Sequence, residues 1–361
     1  WQPFQLNLPV SPITDLTFRD NDLIVATSGR AFWILDDLGP IQQTAGKLDE
    51  SSFRIFQPKP AYKYASGGPS SPSPRRGQNP DNGVIIDYQL PEDWTDKMTV
   101  KLEVLRADGT VIRTLSSAKQ KKPATWDGGP GPEPRLPAKA GLNRFAWDLR
   151  VDPIPGVRNI FVMGSHSGAR VVPGQYTLRL STDQEGIGPA EITSSVVPDP
   201  RINANEDDYT AQQAAMDKIS TLARDVHRSV NQFRQVKSQL AGRWRLLKQM
   251  DDQTELAELA KTAMDRIRKW EAGLIQTKQK TFQDVINFRN QLNAELGYLG
   301  GMLDANSPRP TASSLQRLDE LEMRLTSSKE ELQSLVDGPI ADFNSAYQKS
   351  SLPALFIPDK N

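Results

Sequence analysis

The chain has 361 residues, with 44 basic and 44 acidic side chains and no cysteine. This balance excludes the net electrostatic field that attracts nucleic acid or anionic lipid, and the missing thiols exclude disulfides and thiolate chemistry. No apolar run approaches the roughly 20 residues that cross a bilayer, so we expect neither a nucleic-acid partner nor a membrane-spanning segment.

Residues 1–43 predict the closing strands of a larger β-structure. Three short runs rich in β-branched and aromatic residues are bounded by turn residues, which is typical of strands joined by hairpins. These runs are Ile13–Phe18, Leu23–Thr27 and Ala31–Leu35. Three strands alone leave two unpaired edges and an uncovered apolar face. Because neither an initiator methionine nor a signal peptide precedes Trp1, we expect this chain to be the C-terminal part of a longer protein.

Residues 44–82 are predicted to form a connector, and its second half, 67–82, is a Ser/Pro/Gly-rich loop that has nothing to bury. From 83 to 202 the apolar residues alternate with polar ones again, which predicts a second strand-rich domain. The predicted strands are Val84–Tyr88, Met98–Leu105, Thr110–Leu115, Leu142–Arg150, Gln175–Ser181 and Glu191–Val197.

Strands at this density favour an antiparallel sandwich of immunoglobulin or fibronectin type III character. The pair Asp108-Gly109 predicts a hairpin, because glycine adopts the positive φ that such a turn requires. Tyr176, after Pro173-Gly174-Gln175, is either a tyrosine corner or a simple cross-strand tyrosine. Residues 119–140 are rich in proline and glycine and are expected to form a surface loop.

From 203 to 350 the apolar residues recur at steps of three and four, which predicts four long helices. We expect Asp252 and Glu255 to cap the second helix, a third helix across 282–303, and Thr311 to cap the fourth. Gly338-Pro339 should kink or interrupt the last helix, because proline removes a backbone donor. Helices with short connections pack as an antiparallel bundle. The remaining residues, 351–361, form an apolar tail. The predicted fold class is therefore multidomain β plus α.

A search for catalytic residues is negative, and we expect no metal or cofactor site. The two histidines, His166 in a loop and His227 on a helix, belong to no recognisable ligand or catalytic motif, and both fit ordinary structural roles. Asp36 and Asp37 are adjacent, so on a strand they point to opposite faces and cannot flank one glycosidic bond. The favoured interpretation is that they end a strand and accept hydrogen bonds from turn amides.

Four residues are candidates for ligand binding. Arg30 follows Ser28-Gly29 at a strand start and can clamp a carboxylate, while Trp33 can stack on a sugar. The alternative is that Trp33 fills an apolar core and Arg30 forms a local ion pair. Trp94 and Trp126 resemble exposed aromatic residues of sugar-binding modules, and the alternative for both is a loop anchored by one aromatic side chain.

Four segments of the chain resemble large secreted bacterial proteins with sialidase-like Asp-box (BNR) repeats, whose β-propellers are related to the sortilin type. These segments are residues 22–38 (DLIVATSGRAFWILDDL), 141–150 (GLNRFAWDLR), 170–177 (RVVPGQYT) and 281–288 (TFQDVINF). The family pattern usually has a histidine where this chain has Ser28, and the Asp-box Ser-x-Asp-x-Gly-x-x-Trp is absent. The resemblance implies that residues 1–43 are the final strands of a propeller.

The resemblance also implies a function and a location. We expect a non-catalytic structural and binding region of a secreted, periplasmic or cell-surface bacterial protein. Its main partner would be the N-terminal propeller portion of the same protein, on the same or a separate chain, with a glycan or peptide as ligand. The alternative is a sialidase-like glycoside hydrolase whose catalytic residues lie mainly on the rest of the propeller, since a propeller fold does not itself imply hydrolysis.

Overall fold

The structure is a computed structural model that describes residues 4–44, 51–64, 77, 79–119, 125–162, 164–305, 307–350 and 352. These residues form both sheets and helices, so the chain is of the β plus α class. It divides into two compact units. The sheet unit consists of Trp1–Lys121, Glu133–Asp152 and Arg170–Asn203, and the helical unit of Lys122–Pro132, Pro153–Ala169 and Ala204–Asn361. Two stretches of the predicted sandwich range, 83–202, thus belong to the helical unit.

The first three strands of the sheet unit form a sheet of their own, here called the first sheet. Strands β1 (Ile13–Arg19), β2 (Asp22–Thr27) and β3 (Phe32–Leu35) pair antiparallel in the order β1-β2-β3. Asp20 and Asn21 connect β1 to β2 with φ angles of 49° and 69°. Two positive φ angles are what a two-residue type I′ hairpin turn requires. The three predicted strands are confirmed.

The rest of the sheet unit contains two further sheets around one core, here called the core sheets. One sheet has the order β5-β11-β10-β7-β8 and the other the order β4-β6-β9. Fully buried side chains from both meet in the core, among them Ile86 and Trp147 from the smaller sheet and Leu102, Leu178 and Leu180 from the larger. The strands are β4 (Arg54–Ile55), β5 (Ala61–Lys63), β6 (Val84–Leu90), β7 (Val100–Leu105), β8 (Val111–Ser116), β9 (Gly141–Trp147), β10 (Gly174–Thr182) and β11 (Ala190–Pro198).

The six strands predicted between 83 and 202 are all present as β6 to β11. The predicted connector is more ordered than expected, because it supplies β4 and β5, one strand to each sheet; most of the predicted loop 67–82 lies outside the described residues. The hairpin is confirmed, with Gly109 at φ 83° and its amide donating to the Arg106 carbonyl oxygen at 2.9 Å.

Tyr176 shows which of the two predicted alternatives holds. It is buried, and its hydroxyl donates to the carbonyl oxygen of Val172, four residues upstream, at 2.6 Å. A tyrosine corner makes this type of hydrogen bond back along the chain. The ring also packs edge-on against Trp147, with centroids 5.7 Å apart. The tyrosine therefore fixes the start of β10 against the core.

The helical unit is organised on one 42-residue helix, α2, which contacts α3, α4 and α5. Its first turn is closed by a capping box in which the Asn205 side chain accepts from the Asp208 amide at 2.9 Å. The helices are α2 (Glu206–Leu247), α3 (Thr254–Leu274), α4 (Leu292–Leu303), α5 (Ala312–Leu335) and α6 (Ala341–Lys349); a short α1 (Gly39–Gln43) belongs to the sheet unit. No described helix combines the length and apolarity needed to cross a bilayer.

Two predictions about helix ends are wrong and two are confirmed. The third helix is not continuous, because Phe282–Ile286 is a single 3-10 segment and α4 begins only at Leu292. The second helix, α3, is preceded by Gln253 at its N-cap without a side-chain cap, so Asp252 does not cap it. Thr311 does cap α5, accepting from the Ser314 amide at 3.1 Å. Gly338-Pro339 interrupts the last helix as a π-helical turn, Val336–Ile340.

Candidate interaction surface

The first sheet is apolar on one face and partly apolar on the other. The register places Leu16 opposite Val25 and Val25 opposite Trp33, so these three side chains share one face. Phe18, Leu23 and Leu35 form the neighbouring row of that face. Every position in these two rows is apolar, yet Leu16 is 56% and Phe18 68% exposed.

The opposite face carries a second set of apolar side chains. Ile24 pairs with Ile34 and Ala26 pairs with Phe32. Phe32 is 75% and Ile34 57% exposed. A sheet that covers a core with one face normally shows polar side chains on the other. In the first sheet, β1 follows that alternation, since it places Asp15, Thr17 and Arg19 on this second face. The part of the face formed by β2 and β3 is largely apolar and, like the first face, is suited to contact with other polypeptide.

Polar contacts connect the first sheet to the remainder of the sheet unit. Lys59 Nζ lies 2.7 Å from the carbonyl oxygen of Asp20 and 2.7 Å from Asp22 Oδ1. The side chain of Gln43 bonds to both the amide and the carbonyl of Gln57, at 2.8 and 3.1 Å. Burial raises the pKa of the Asp22 carboxyl, but the Lys59 ammonium and the Asp37 amide outweigh it, so this pKa is lowered overall. The connection is therefore hydrogen-bonded and charged.

Of the two adjacent aspartates after β3, Asp37 has the turn role that the sequence favours. Its Oδ1 accepts from the amide of Gly39 at 2.9 Å and from the side chain of Asn21 at 3.1 Å. Asp36 is partly buried, and this burial, together with the nearby charge of Asp22, raises the pKa of its carboxyl.

Of the first two predicted ligand-binding residues, Arg30 lies in the turn between β2 and β3, and Trp33 lies in β3. Trp33 is half-buried, and its Nε1 donates to the carbonyl oxygen of Arg30 at 3.0 Å. Arg30 is exposed and forms no ion pair with the described residues. The alternative of a local pair with Asp36 or Asp37 is therefore wrong, and ligand binding by Arg30 stays a prediction.

Trp94 is not the exposed aromatic residue that the sequence suggested. It is 6% exposed and belongs to the core between the two core sheets. Its ring stacks on Phe53, with centroids 6.2 Å apart and planes at 23°. A ring enclosed in this way has no free face for a sugar. The expectation of surface stacking by Trp94 is wrong because Phe53, from the connector, covers it.

Trp126 anchors a loop of the helical unit. Its Nε1 donates to the carbonyl oxygen of Ile160 at 2.8 Å. A Cβ atom placed on Gly156 would lie 2.8 Å from the Trp126 ring, so the two loop segments approach closely and require glycine there. Trp126 therefore fits the alternative of a loop anchored by one aromatic side chain.

The histidines form a cluster that the sequence did not predict. The rings of His166 and His227 have centroids 6.0 Å apart. A carbonyl oxygen can only accept, so His227 Nδ1 donates to Pro155 at 2.6 Å and His166 Nε2 donates to Gly128 at 3.1 Å. The pair thereby holds two loop segments beside α2. No local pattern could reveal it, because the contact joins distant parts of the chain.

His227 is electrostatically unusual within this cluster. It is 4% exposed, and its Nε2 is buried without a hydrogen-bond partner in the described part of the chain. Burial, with a smaller contribution from His166, lowers the pKa of His227 to about 4. The imidazole is therefore neutral at physiological pH. Over the described residues, no group of three or more metal-ligating side chains is assembled.

Comparison with known proteins leaves the family open. No family model and no curated protein matches the chain. Among solved structures it is similar to the crystal structure of CopC from Methylosinus trichosporium OB3b, at 8% sequence identity and a TM-score of 0.19. That similarity covers 43% of this chain and 100% of CopC. A TM-score so low carries no argument, so the functional conclusion depends on the geometry above.

Proposed function

We propose that this chain is a non-catalytic structural and binding region of an exported BNR-type β-propeller protein, in which the first sheet completes the propeller. The observation that carries the proposal is that large apolar side chains are exposed on both faces of that sheet. A sheet in a sandwich covers one core and needs one apolar face. The blades of a propeller are arranged radially, so each blade has a neighbour on either side and needs two.

The exposed side chains indicate how strongly the first sheet favours such neighbours. Leu16 and Phe18 lie on one face, and Phe32 and Ile34 on the other, all more than half exposed. Complete burial of a large apolar side chain contributes about 1.5–3 kcal/mol. Covering the exposed parts of these four residues therefore contributes on the order of 4–8 kcal/mol, as an upper value.

The proposal assigns roles to the other regions as well. The two core sheets form an immunoglobulin- or fibronectin type III-like sandwich, which is supported by their shared core and by the tyrosine-corner bond of Tyr176. The long helices form an antiparallel bundle, which is supported by the contacts of α2 with α3, α4 and α5. Both are supporting domains in this proposal, and ligand or protein binding is a property of the assembled propeller.

Side-chain footprinting tests the proposal. The 361-residue chain and the protein isolated from its native cells are labelled with a carbene reagent and compared residue by residue. We expect labelling of Leu16, Phe18, Phe32 and Ile34 to fall by about fivefold or more in the native protein, because neighbouring blades cover them.

Two exposed residues of the helical unit, Tyr298 and Ile286, serve as internal controls because they are 70% and 85% exposed. Their labelling should not change between the two samples. Equal labelling of the four first-sheet residues in both samples would contradict the proposal, since both faces would then be exposed in the native state.

A further inference from the structure

One face of α2 borders a cavity of about 460 Å³ within the helical unit. Pockets that bind small molecules usually have volumes of about 300–1,000 Å³, so this cavity is large enough for a small organic ligand. Its lining consists of Pro155, Arg224, Arg228, Asn231, Gln232 and Gln235. These described lining residues carry two positive charges and include no acidic side chain. The cavity therefore favours an anion.

The spacing of these residues along α2 brings their side chains to the same face of the helix. Arg224 and Arg228 are about one turn apart, at positions i and i+4, and Gln232 and Gln235 follow at i+8 and i+11. Residues at such spacings are neighbours on a helix surface, and like charges four residues apart repel each other. An anion held between the two guanidinium groups removes this repulsion. Arginine also bonds carboxylate and phosphate groups through two parallel hydrogen bonds.

Arg228 differs from a neighbouring arginine of α2 that has a structural partner. The guanidinium of Arg234 donates to Glu271, a 3% exposed residue, at 2.5 Å. Arg228 lies 4.0 Å from Asp225, and the carboxylate of Asp225 accepts from Lys329 Nζ at 2.7 Å. The side chain of Arg228 is also 77% exposed. Arg234 is therefore held by an internal carboxylate, whereas the charge of Arg228 remains accessible at the cavity.

Two amide side chains beside the arginines add hydrogen-bonding capacity. The side chains of Gln232 and Gln235 form no hydrogen bond with the described residues. Each of these amides offers two N–H donors and one acceptor oxygen. This combination matches hydroxyl and carbonyl groups, which can accept from the N–H groups or, in the case of a hydroxyl, donate to the oxygen.

The loop that contributes Pro155 is fixed to α2 by two hydrogen bonds. The Pro155 carbonyl oxygen accepts from Nδ1 of the buried His227 at 2.6 Å, and the Gly156 carbonyl oxygen accepts from Asn231 Nδ2 at 3.2 Å. Neither bond uses an arginine or a glutamine of the lining. The cavity is therefore formed before a ligand binds, which reduces the cost of ordering on binding.

We propose that this cavity binds a small organic anion that also carries hydroxyl or carbonyl groups. Arg224 and Arg228 hold its phosphate or carboxylate group, and Gln232 and Gln235 bond to the rest of the ligand. The site goes beyond the proposed function, in which the helical unit is a supporting domain. It depends neither on the first sheet nor on neighbouring blades.

NMR titration of the 361-residue chain with glucose 6-phosphate and with glucose tests the proposal, because the two probes differ only in the phosphate group. We expect glucose 6-phosphate to shift the side-chain amide signals of Gln232 and Gln235. Glucose should bind at least about tenfold more weakly, because it cannot form the charge-assisted hydrogen bonds. Citrate is the third probe, and its affinity relative to that of glucose 6-phosphate shows whether the arginines prefer carboxylate or phosphate.

Three variants separate the charged contacts from the neutral ones. Arg228→Gln should weaken the binding of glucose 6-phosphate by about tenfold. Arg245→Gln is the matched control, because Arg245 is exposed on the same helix but does not line the cavity, and it should change this affinity by less than about twofold. Gln235→Met keeps the length of the side chain and removes the amide, so it should weaken glucose 6-phosphate binding by about threefold and leave the binding of inorganic phosphate unchanged. Circular dichroism at 222 nm checks that each variant is folded.

Several results would overturn the proposal. Equal affinities for glucose and glucose 6-phosphate would show that the arginines do not select an anion. Equal losses in Arg228→Gln and Arg245→Gln would show that the effect of charge is general rather than located at the cavity. Absence of binding by both glucose 6-phosphate and citrate at about 20 mM would exclude the site. Each of these results concerns the helical unit alone, so the footprinting test of the first sheet would still decide the proposed function.

Discussion

The first sheet and the two core sheets are built from similar residues but differ in how many of their apolar side chains are buried. Strand β7 of the five-stranded core sheet and strand β1 of the first sheet both alternate apolar and polar positions. In β7 the side chains of Val100, Leu102 and Val104 are fully buried, whereas every residue of β1 is exposed. The comparison teaches that strand formation depends on local pattern and hairpin turns, while stability depends on a second layer. Among the described residues, no second layer of that kind covers β1.

Two matched leucine-to-alanine substitutions should give the largest difference between these regions in the free energy of unfolding. Leu102→Ala should lower the free energy of unfolding by about 2–5 kcal/mol, because it opens a cavity in the shared core. Leu16→Ala in the 361-residue chain should change it by less than about 0.5 kcal/mol, since the side chain is already in water. Urea denaturation followed by tryptophan fluorescence measures both, because Trp94 and Trp147 lie in that core.

The same pair tests the proposed propeller when it is placed in the protein isolated from its native cells. If neighbouring blades cover Leu16, its substitution there should lower stability toward the cost of a buried leucine. A large effect of Leu16→Ala in the 361-residue chain would break the comparison, because it would show that β1 is already covered.

The pH dependence of the helical unit provides the second test. In the folded chain the pKa of His227 is about 4, while in the unfolded chain it is near 6.5. Between these values the unfolded state binds a proton that the folded state does not, so stability is lost as the pH falls from 6.5 to 4. The two pKa values correspond to a loss of about 3 kcal/mol.

The substitution His227→Asn isolates this contribution. Asparagine keeps a donor near the position of Nδ1, which bonds to Pro155, but it does not titrate. Urea midpoints measured by circular dichroism at 222 nm, which reports the helices, should fall less steeply with acidification in the variant. Equal slopes for the two proteins would show that His227 is not held neutral by burial. The first sheet contains no histidine, so its exchange rates should not follow this titration.

Much of the secondary structure could be predicted from local pattern. Asp108-Gly109 specifies a hairpin, and the hydroxyl of Thr311 specifies a helix start, because each acts on residues within a few positions. The strands β6 to β11 follow from their alternation, and the interruption at Pro339 follows from its missing donor. One uncovered apolar face of the first sheet was also foreseen, as the consequence of three strands without a covering layer.

What could not be predicted depends on contacts between distant residues. Trp94 resembles a surface aromatic residue until Phe53 covers it, and the meeting of His166 and His227 leaves no trace in the local sequence. The third helix fails because the Thr281 and Asp284 side chains close a short 3-10 segment that the apolar periodicity does not reveal. The ligand-binding roles of Arg30 and Trp33 stay predictions, because no local pattern in the sequence identifies a ligand for them.

The smallest expected effect concerns the polar connection between the first sheet and the rest of the sheet unit. Lys59→Met removes the contacts to Asp20 and Asp22, of which the ion pair is partly exposed, so the cost should be about 0.5–1 kcal/mol. That cost corresponds to amide exchange about two- to fivefold faster in residues 13–35. Lys101→Met is the matched control, because Lys101 forms an ion pair with Glu103 inside β7. If both variants affect residues 13–35 equally, or if Lys59→Met accelerates exchange in β6 and β10 as well, the first sheet is not an independently held element. A selective effect on 13–35 would show that, in this chain, the first sheet is secured by its polar contacts rather than by a core.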